Sequence, residues 1–180
     1  TLTSSGDFDI FVAKLDINGN WLWAKKAGGT SSDYGKGIAV DANGNSYVTG
    51  YFYSSATFGT TTLTSSEYYN DIFVAKLDIN GNWLWAKQAG GTSDDIGYGI
   101  AVDDNGNSYV TGYFKSSSCS FGTITLINSS SGYYDIFVAK LDINGNWLWV
   151  KQAGGTSEDG GTSIAVDANG NSYVTGYFEE

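Results

Sequence analysis

Apolar side chains in this chain fall in short runs, and most runs are apolar at odd and even positions alike. Phe11, Ala13 and Leu15 alternate with Ile10 and Val12, and Trp21 and Trp23 alternate with Leu22 and Ala24. Runs this short, rich in β-branched and aromatic residues and bounded by Asn-Gly, read as strands; no stretch holds a helical period of useful length. Asn-Gly between two such runs predicts a hairpin with a type I′ turn, whose two central residues need φ > 0. A strand that is apolar on both faces has to be covered on both sides.

The runs repeat. "DIFVAKLDINGNWLWAK" begins at Asp9 and at Asp71, and "DIFVAKLDINGNWLWVK" at Asp135, spacings of 62 and 64 residues. A second block follows each one, "GIAVDANGNSYVTGYF" from Gly37, "GIAVDDNGNSYVTGYF" from Gly99 and "SIAVDANGNSYVTGYF" from Ser163. Copies this similar point to recent amplification of one unit or to deliberate design. Each unit supplies two hairpins, hence four strands. Four-stranded sheets repeated at a fixed period and covered by their neighbours describe a β-propeller, since a sandwich would bury one face only. The expected fold is therefore all-β, with four-stranded antiparallel blades, three near-identical blades per chain and closure by oligomerisation. Residues 1–180 read as one propeller segment with repeats near 1–54, 55–115 and 116–180.

The stretch from Gly28 to Phe52, "GGTSSDYGKGIAVDANGNSYVTGYF", resembles the bacterial SBBP-type β-propeller repeat, and "IAVDANGNSYV" is more distantly similar to NHL propeller repeats. The resemblance implies a strand order from the channel outward of "IAVD", "SYVTGYF", "IFVAKLD" and "WLWAK". It also implies that the acidic loops and the insert "YSSATFGTTTLTSSEYYN" share one face of the disc, with "TFGTTTL" as an extra strand. The Asn-Gly turns take the other face. Without a signal peptide or an initiator Met the chain reads as an excised or mature piece, and "TLTSS" at the start matches Thr62–Ser66, midway through a blade. It opens on the outer strand pair of a blade and closes on the inner pair of another. Propellers close with about four to eight blades. Phe11, Trp21, Trp23, Tyr173 and Tyr177 are then the expected assembly residues. A homodimer of six blades is the preferred assembly and a homotrimer of nine the second.

Charge and chemistry refine this. Nine Lys against nineteen carboxylates, with no Arg and no His, give a net charge of −10. Such a surface repels phosphate backbones and anionic membranes, and no apolar run approaches the about 18 residues of a membrane helix. Without His or a recognisable nucleophile motif no enzyme is expected, and no cofactor is expected. The composition, rich in Ser, Thr, Asn, Gly and Tyr, together with the resemblance, favours an extracellular or cell-surface location. Cys119, alone in the chain, reads as a tolerated loop residue. "DINGN" at Asp16, Asp78 and Asp142, and its counterparts at Asp41, Asp103 and Asp167, invite a calcium reading. The Gly stands fourth, however, and Ala27 or Phe52 takes the place of the bidentate Glu, so these carboxylates are read as caps of backbone N–H groups. Asp33, Asp95 and Asp159, with Tyr34, Asp94 and Glu158 beside them, are the candidate ligand residues. They are read as solvated loop acids, or in the alternative as a lectin-like ring that holds a cation or glycan hydroxyls.

Overall fold

The computed structural model describes residues 1–66, 68–130 and 132–180. Its strands are β1 (Ile10–Leu15), β2 (Trp21–Ala27), β3 (Asp33–Val40), β4 (Ser46–Tyr53), β5 (Ser55–Phe58), β6 (Thr61–Thr64), β7 (Asn70–Leu77) and β8 (Trp83–Ala89), followed by β9 (Asp95–Val102), β10 (Ser108–Phe114), β11 (Ser118–Phe121), β12 (Ile124–Ile127), β13 (Asp135–Leu141), β14 (Trp147–Ala153), β15 (Gly160–Val166) and β16 (Ser172–Tyr177). No helix occurs among the described residues. Two antiparallel sheets have four strands each, ordered β3-β4-β7-β8 and β9-β10-β13-β14, while β1-β2 and β15-β16 are separate pairs. The innermost strands β3, β9 and β15 pack side by side. The fold is all-β and built of repeated blades, as the alternation of apolar positions implied.

Because every strand reverses at its end, all six Asn-Gly turns lie at one end of the blades and the linkers and inserts at the other. The turns differ from expectation. Gly19, Gly44, Gly81, Gly106, Gly145 and Gly170 have φ between 77° and 83°, but the Asn before each does not have positive φ. The Gly19 N–H bonds the Asp16 carbonyl at 3.0 Å and the Asp16 N–H bonds the Asn20 carbonyl at 2.8 Å. This is a type I turn followed by a left-handed Gly, the three-residue solution. The reason lies two residues before the Asn, where an Asp side chain caps the turn.

Three other expectations change. The insert forms a two-stranded hairpin, β5-β6 in one blade and β11-β12 in the next. Phe58 of the first lies against Phe73 and Trp83, with ring centroids 4.9 and 5.2 Å apart. Cys119 is no loop residue; it sits buried on β11 as the counterpart of Ala56. The acidic loops belong to strands, because β3 and β9 begin at Asp33 and Asp95 and pass through a bulge before "IAV".

The core of each blade rests on a ring over a glycine. Phe73 and Phe137 are fully buried opposite Gly50 and Gly112 in the ladders. A Cβ at Gly50 would meet Phe73 Cε1 at 2.8 Å and overlap the Tyr34 carbonyl; at Gly112 it would meet Phe137 Cε1 at 2.9 Å and overlap that of Ile96. Gly112→Ala is expected to cost about 3 kcal/mol by overpacking, read as a lowered urea midpoint with unchanged slope; a shift within error would show that the sheet relaxes around the methyl.

Candidate functional site: blade edges and loop face

At the loop face, Asp33, Asp95 and Asp159 are all buried. Asp33 accepts the N–H of Gly29 at 2.7 Å and of Tyr53 at 3.2 Å. Asp159 does the same with Gly155 at 2.7 Å and Glu179 at 3.3 Å. Asp95 takes the Lys115 N–H at 2.9 Å and the Ser116 hydroxyl at 2.7 Å. Each carboxylate joins a Gly-Gly linker to the end of the neighbouring strand, so the three do not form an exposed ring. Their oxygens are occupied by backbone donors, which a buried carboxylate requires.

Tyr34, Asp94 and Glu158 stay closer to solvent. The Tyr34 ring lies 5.5 Å from that of Phe8 and 5.0 Å from that of Tyr51, with Lys36 Nζ 5.2 Å from its centre. Asp94 accepts the backbone and side-chain N–H groups of Asn70 at 3.1 and 2.8 Å. Glu158 bonds the Tyr134 hydroxyl and, with burial adding, pushes that phenol up to about 12; Tyr134 in turn stacks on Tyr113 at 4.3 Å. A half-buried row of tyrosines that also includes Tyr98 therefore lines this face. Sequence reasoning had picked out only Tyr34, because Tyr51 and Tyr113 look like ordinary strand residues until the sheets are stacked.

At the opposite face the turn aspartates are committed to their own turns. Asp16 Oδ1 accepts the N–H groups of Asn18 and Asn20, both at 2.8 Å, and Oδ2 accepts the Asn20 amide at 2.9 Å. Asp78, Asp142 and Asp167 repeat the set. Asp41 and Asp103 repeat it too, and Asp41, Asp103 and Asp167 each also receive a tyrosine hydroxyl, from Tyr47, Tyr109 and Tyr173. These donors, the Asn20 side chain first for Asp16, hold the carboxyl below the usual range.

The repeat family is now decided. The SBBP beta-propeller repeat matches at residues 22–51, 84–113 and 148–177, together half of the 180 residues. The chain belongs to the SBBP beta-propeller repeat family. It is similar to the uncharacterized WD repeat-containing protein L264 of Acanthamoeba polyphaga mimivirus, 29% identical over 98% of this chain and 14% of that protein. It is also similar to the regulatory protein FlaEY of Caulobacter vibrioides, 32% identical over 59% of this chain and 11% of that protein. The chain thus spans a small fraction of either relative.

Successive SBBP blades are joined by a directional set of polar contacts. The Tyr47 hydroxyl donates to the Gly106 carbonyl of the next blade's turn at 3.1 Å, and that of Tyr109 to Gly170 at 3.4 Å. Trp23 Nε1 donates to the Ile79 carbonyl and Trp85 Nε1 to that of Ile143, both at 3.1 Å. Within each blade Lys76 and Lys140 lie over the rings of Tyr47 and Tyr109, Nζ to centroid 4.7 Å. None of these lysines, and neither Tyr47 nor Tyr109, stood out in the sequence.

Asp103 tests the turn chemistry. Burial works to raise its carboxyl, but hydrogen bonds led by that of the Asn107 side chain keep it lowered. Its stabilisation is therefore present above about pH 4 and lost as pH falls through the folded value. Asp103→Ala should cost about 1 kcal/mol at neutral pH after allowance for partial exposure, a difference that vanishes in acid urea titrations. Excess EDTA should leave the melting temperature of the native chain unchanged; a fall of several degrees would mean the turns hold a cation.

Proposed function

We propose that this propeller repeat protein is an interaction module whose two blade edges bind a second copy of itself head to tail, completing a closed ring. The observation that carries the reading is one residue in two settings. Phe11 is 68% exposed on β1, whereas Phe73 and Phe137, at the same place in whole blades, are fully buried. Likewise Tyr173 is 61% exposed where Tyr47 and Tyr109 are 0%. Tyr177 is exposed as well, and Trp23 is half-buried against the neighbouring turn.

The whole blades supply the register for the missing contact. β4 pairs with β7 through Tyr47↔Lys76 and Gly50↔Phe73. The same pairing of β16 with a second copy's β1 sets Tyr173 opposite Lys14 and Gly176 opposite Phe11. A cleft of about 400 Å³ beside β1, lined by Ile10, Phe11, Val12, Tyr34 and Val48 among others, is the place for β16. The polar contacts continue in step, Tyr173 reaching the Gly44 carbonyl and Trp149 that of Ile17 in the second copy. Trp21 belongs to this contact through its indole N–H, since its counterpart Trp83 donates Nε1 to the Lys26 carbonyl of the preceding blade at 3.3 Å, while Phe58 of the insert hairpin covers the Trp83 ring. A heterologous contact of this kind closes if its rotation allows. Three blades per chain give six from a dimer, which we favour, or nine from a trimer.

Light scattering of the chain at micromolar concentration should give the mass of two copies, or of three. Phe11→Asp with Tyr173→Asp should give a folded monomer, while Phe73→Ala should cost about 3–5 kcal/mol of stability. A stable, monodisperse wild-type monomer would overturn the reading.

A second reading rests on the tyrosine row with Asp94 and Glu158, whose aromatic faces and carboxylate acceptors suit the stacking and hydrogen bonding of a neutral glycan. Glycan-array binding that Tyr134→Ala removes would support it. An array without signal would leave assembly as the function.

A further inference from the structure

The Gly-Gly linker that joins one blade to the next runs beside two buried carboxylates. One stands at the start of an outer-pair strand (Asp9, Asp71, Asp135), and the other opens the inner strands of the following blade (Asp33, Asp95, Asp159). A Cβ added at Gly28 would meet Asp9 Oδ1 at 2.5 Å and Asp33 Oδ2 at 2.9 Å. At Gly154 it would strike Asp135 Oδ1 and lie 3.0 Å from Asp159 Oδ2, and at Gly90 it would strike the Asp71 carboxylate. The two sets are not alike in their partners. The second set is saturated by the donors described above, whereas Asp9, Asp71 and Asp135 each leave Oδ1 buried with no partner.

The three junctions relieve this differently. At the first, Lys26 Nζ stands 3.6 Å from Asp9 Oδ2. The counterparts of Lys26 are Gln88 and Gln152. Gln152 Nε2 donates to the Ile127 carbonyl at 2.9 Å and also reaches Asp135 Oδ2 at 3.4 Å, where Ser129 donates its N–H at 2.9 Å and its hydroxyl. Gln88 makes the same contact with the Thr64 backbone, donating at 2.9 Å and accepting at 3.1 Å, without a bond to Asp71. Asp71 retains one N–H, from Ser66 at 3.2 Å to Oδ2. Among the described residues, the titratable groups that face it are Asp95 from β9 and the Cys119 thiol from β11, itself pushed up by burial and by the two carboxylates. Lys115, whose backbone caps Asp95, sends its ammonium to the Tyr134 ring at 5.9 Å, and Asp94 is taken by Asn70. Among the described residues no lysine pairs with Asp71 or Asp95.

We propose that, of the carboxyls Asp71 and Asp95 at the junction of the two whole blades, Asp71 holds a proton in the folded protein at neutral pH, so that the junction loosens as pH rises. A buried carboxyl that accepts one N–H, has no cation and lies in the field of a second carboxylate is costly to ionise. Protonation removes the charge from a group whose Oδ1 has no donor. Burial first, and the neighbouring carboxylate with it, raises Asp71 to about 7, and burial raises Asp95 to about 6. An unfolded Asp titrates near ~3.9, so between these values the folded chain binds more protons. The contribution is complete below about pH 4 and is lost as pH climbs through 7, opposite in sign to that of the turn aspartates.

Melting temperature followed from about pH 5.5 to 8.5, at a protein concentration where light scattering shows one mass throughout, tests the pair. The wild type should fall by about 4 °C or more over that range. Asp71→Asn, which keeps the shape and supplies its own N–H, should flatten the fall and melt higher than wild type at the alkaline end. Gln88→Lys, copying the Lys26–Asp9 arrangement, should flatten it as well. Infrared spectra of the wild type at neutral pH should show a neutral-carboxyl band, absent in Asp71→Asn. If Asp71→Asn fails to fold, the wild-type band and the Gln88→Lys profile decide the matter. An unchanged pH slope in the variants, or no such band, would overturn the proposal. So would millimolar Ca²⁺ that restores the wild type at alkaline pH without affecting Asp71→Asn, since the pair would then be a cation site.

Discussion

A sheet that is apolar on both faces has to be covered twice, and every other feature of this molecule follows from that requirement. Within a blade the burial is concentrated where Phe73 and Phe137 sit over glycine. Any side chain there would collide with both the ring and a neighbouring carbonyl. Between blades, inner strand packs on inner strand, and the apolar residues of β4 and β10 disappear between sheets. Hydrophobic burial of this kind is non-directional. It demands neighbours but does not say which edge faces which.

Direction comes from polar groups at the two ends of the blades. The hydroxyls of Tyr47 and Tyr109 and the indole N–H groups of Trp23 and Trp85 reach forward to a backbone carbonyl in the next blade, and Trp83 reaches back to the Lys26 carbonyl of the preceding one. Repetition of the same donor and acceptor makes the contact head to tail and keeps the step between blades constant. At the loop end the linkers are held by buried carboxylates whose desolvation is offset by backbone donors at Asp33, Asp95 and Asp159, and left incomplete at Asp9, Asp71 and Asp135. Identical blades therefore do not have identical junctions. One substitution, Lys26 against Gln88 and Gln152, changes the charge beside the Asp9, Asp71 and Asp135 carboxylates.

The alternation of Phe11 with Val12 and the recurrence of Asn-Gly were sufficient to read strands, hairpins and blades, because period and turn chemistry are local properties. The order of strands within a blade was also legible, through likeness to other propeller repeats. What the local pattern misread was always a matter of surroundings. Asp33 and Asp95 look like loop acids beside Ser and Gly, yet the strand starts at them and the Gly-Gly linker from the preceding blade covers them. Cys119 lies in a run of serines but takes the place of a core alanine. The Asn-Gly turns were assigned the wrong type because the capping Asp stands before the pair.

By itself, then, the sequence determined the fold class, the number of repeats and the two ends of each blade, since these depend on residue spacing along one chain. Only the tertiary structure decided which aspartates are solvent-facing caps and which are buried, which tyrosines reach across to the next blade, and which aromatic faces stay bare on β1 and β16. The physical reason is that burial belongs to a pair of surfaces. Phe11 and Phe73 share the same neighbours in sequence, and they differ in exposure because one lies against a completed sheet and the other does not.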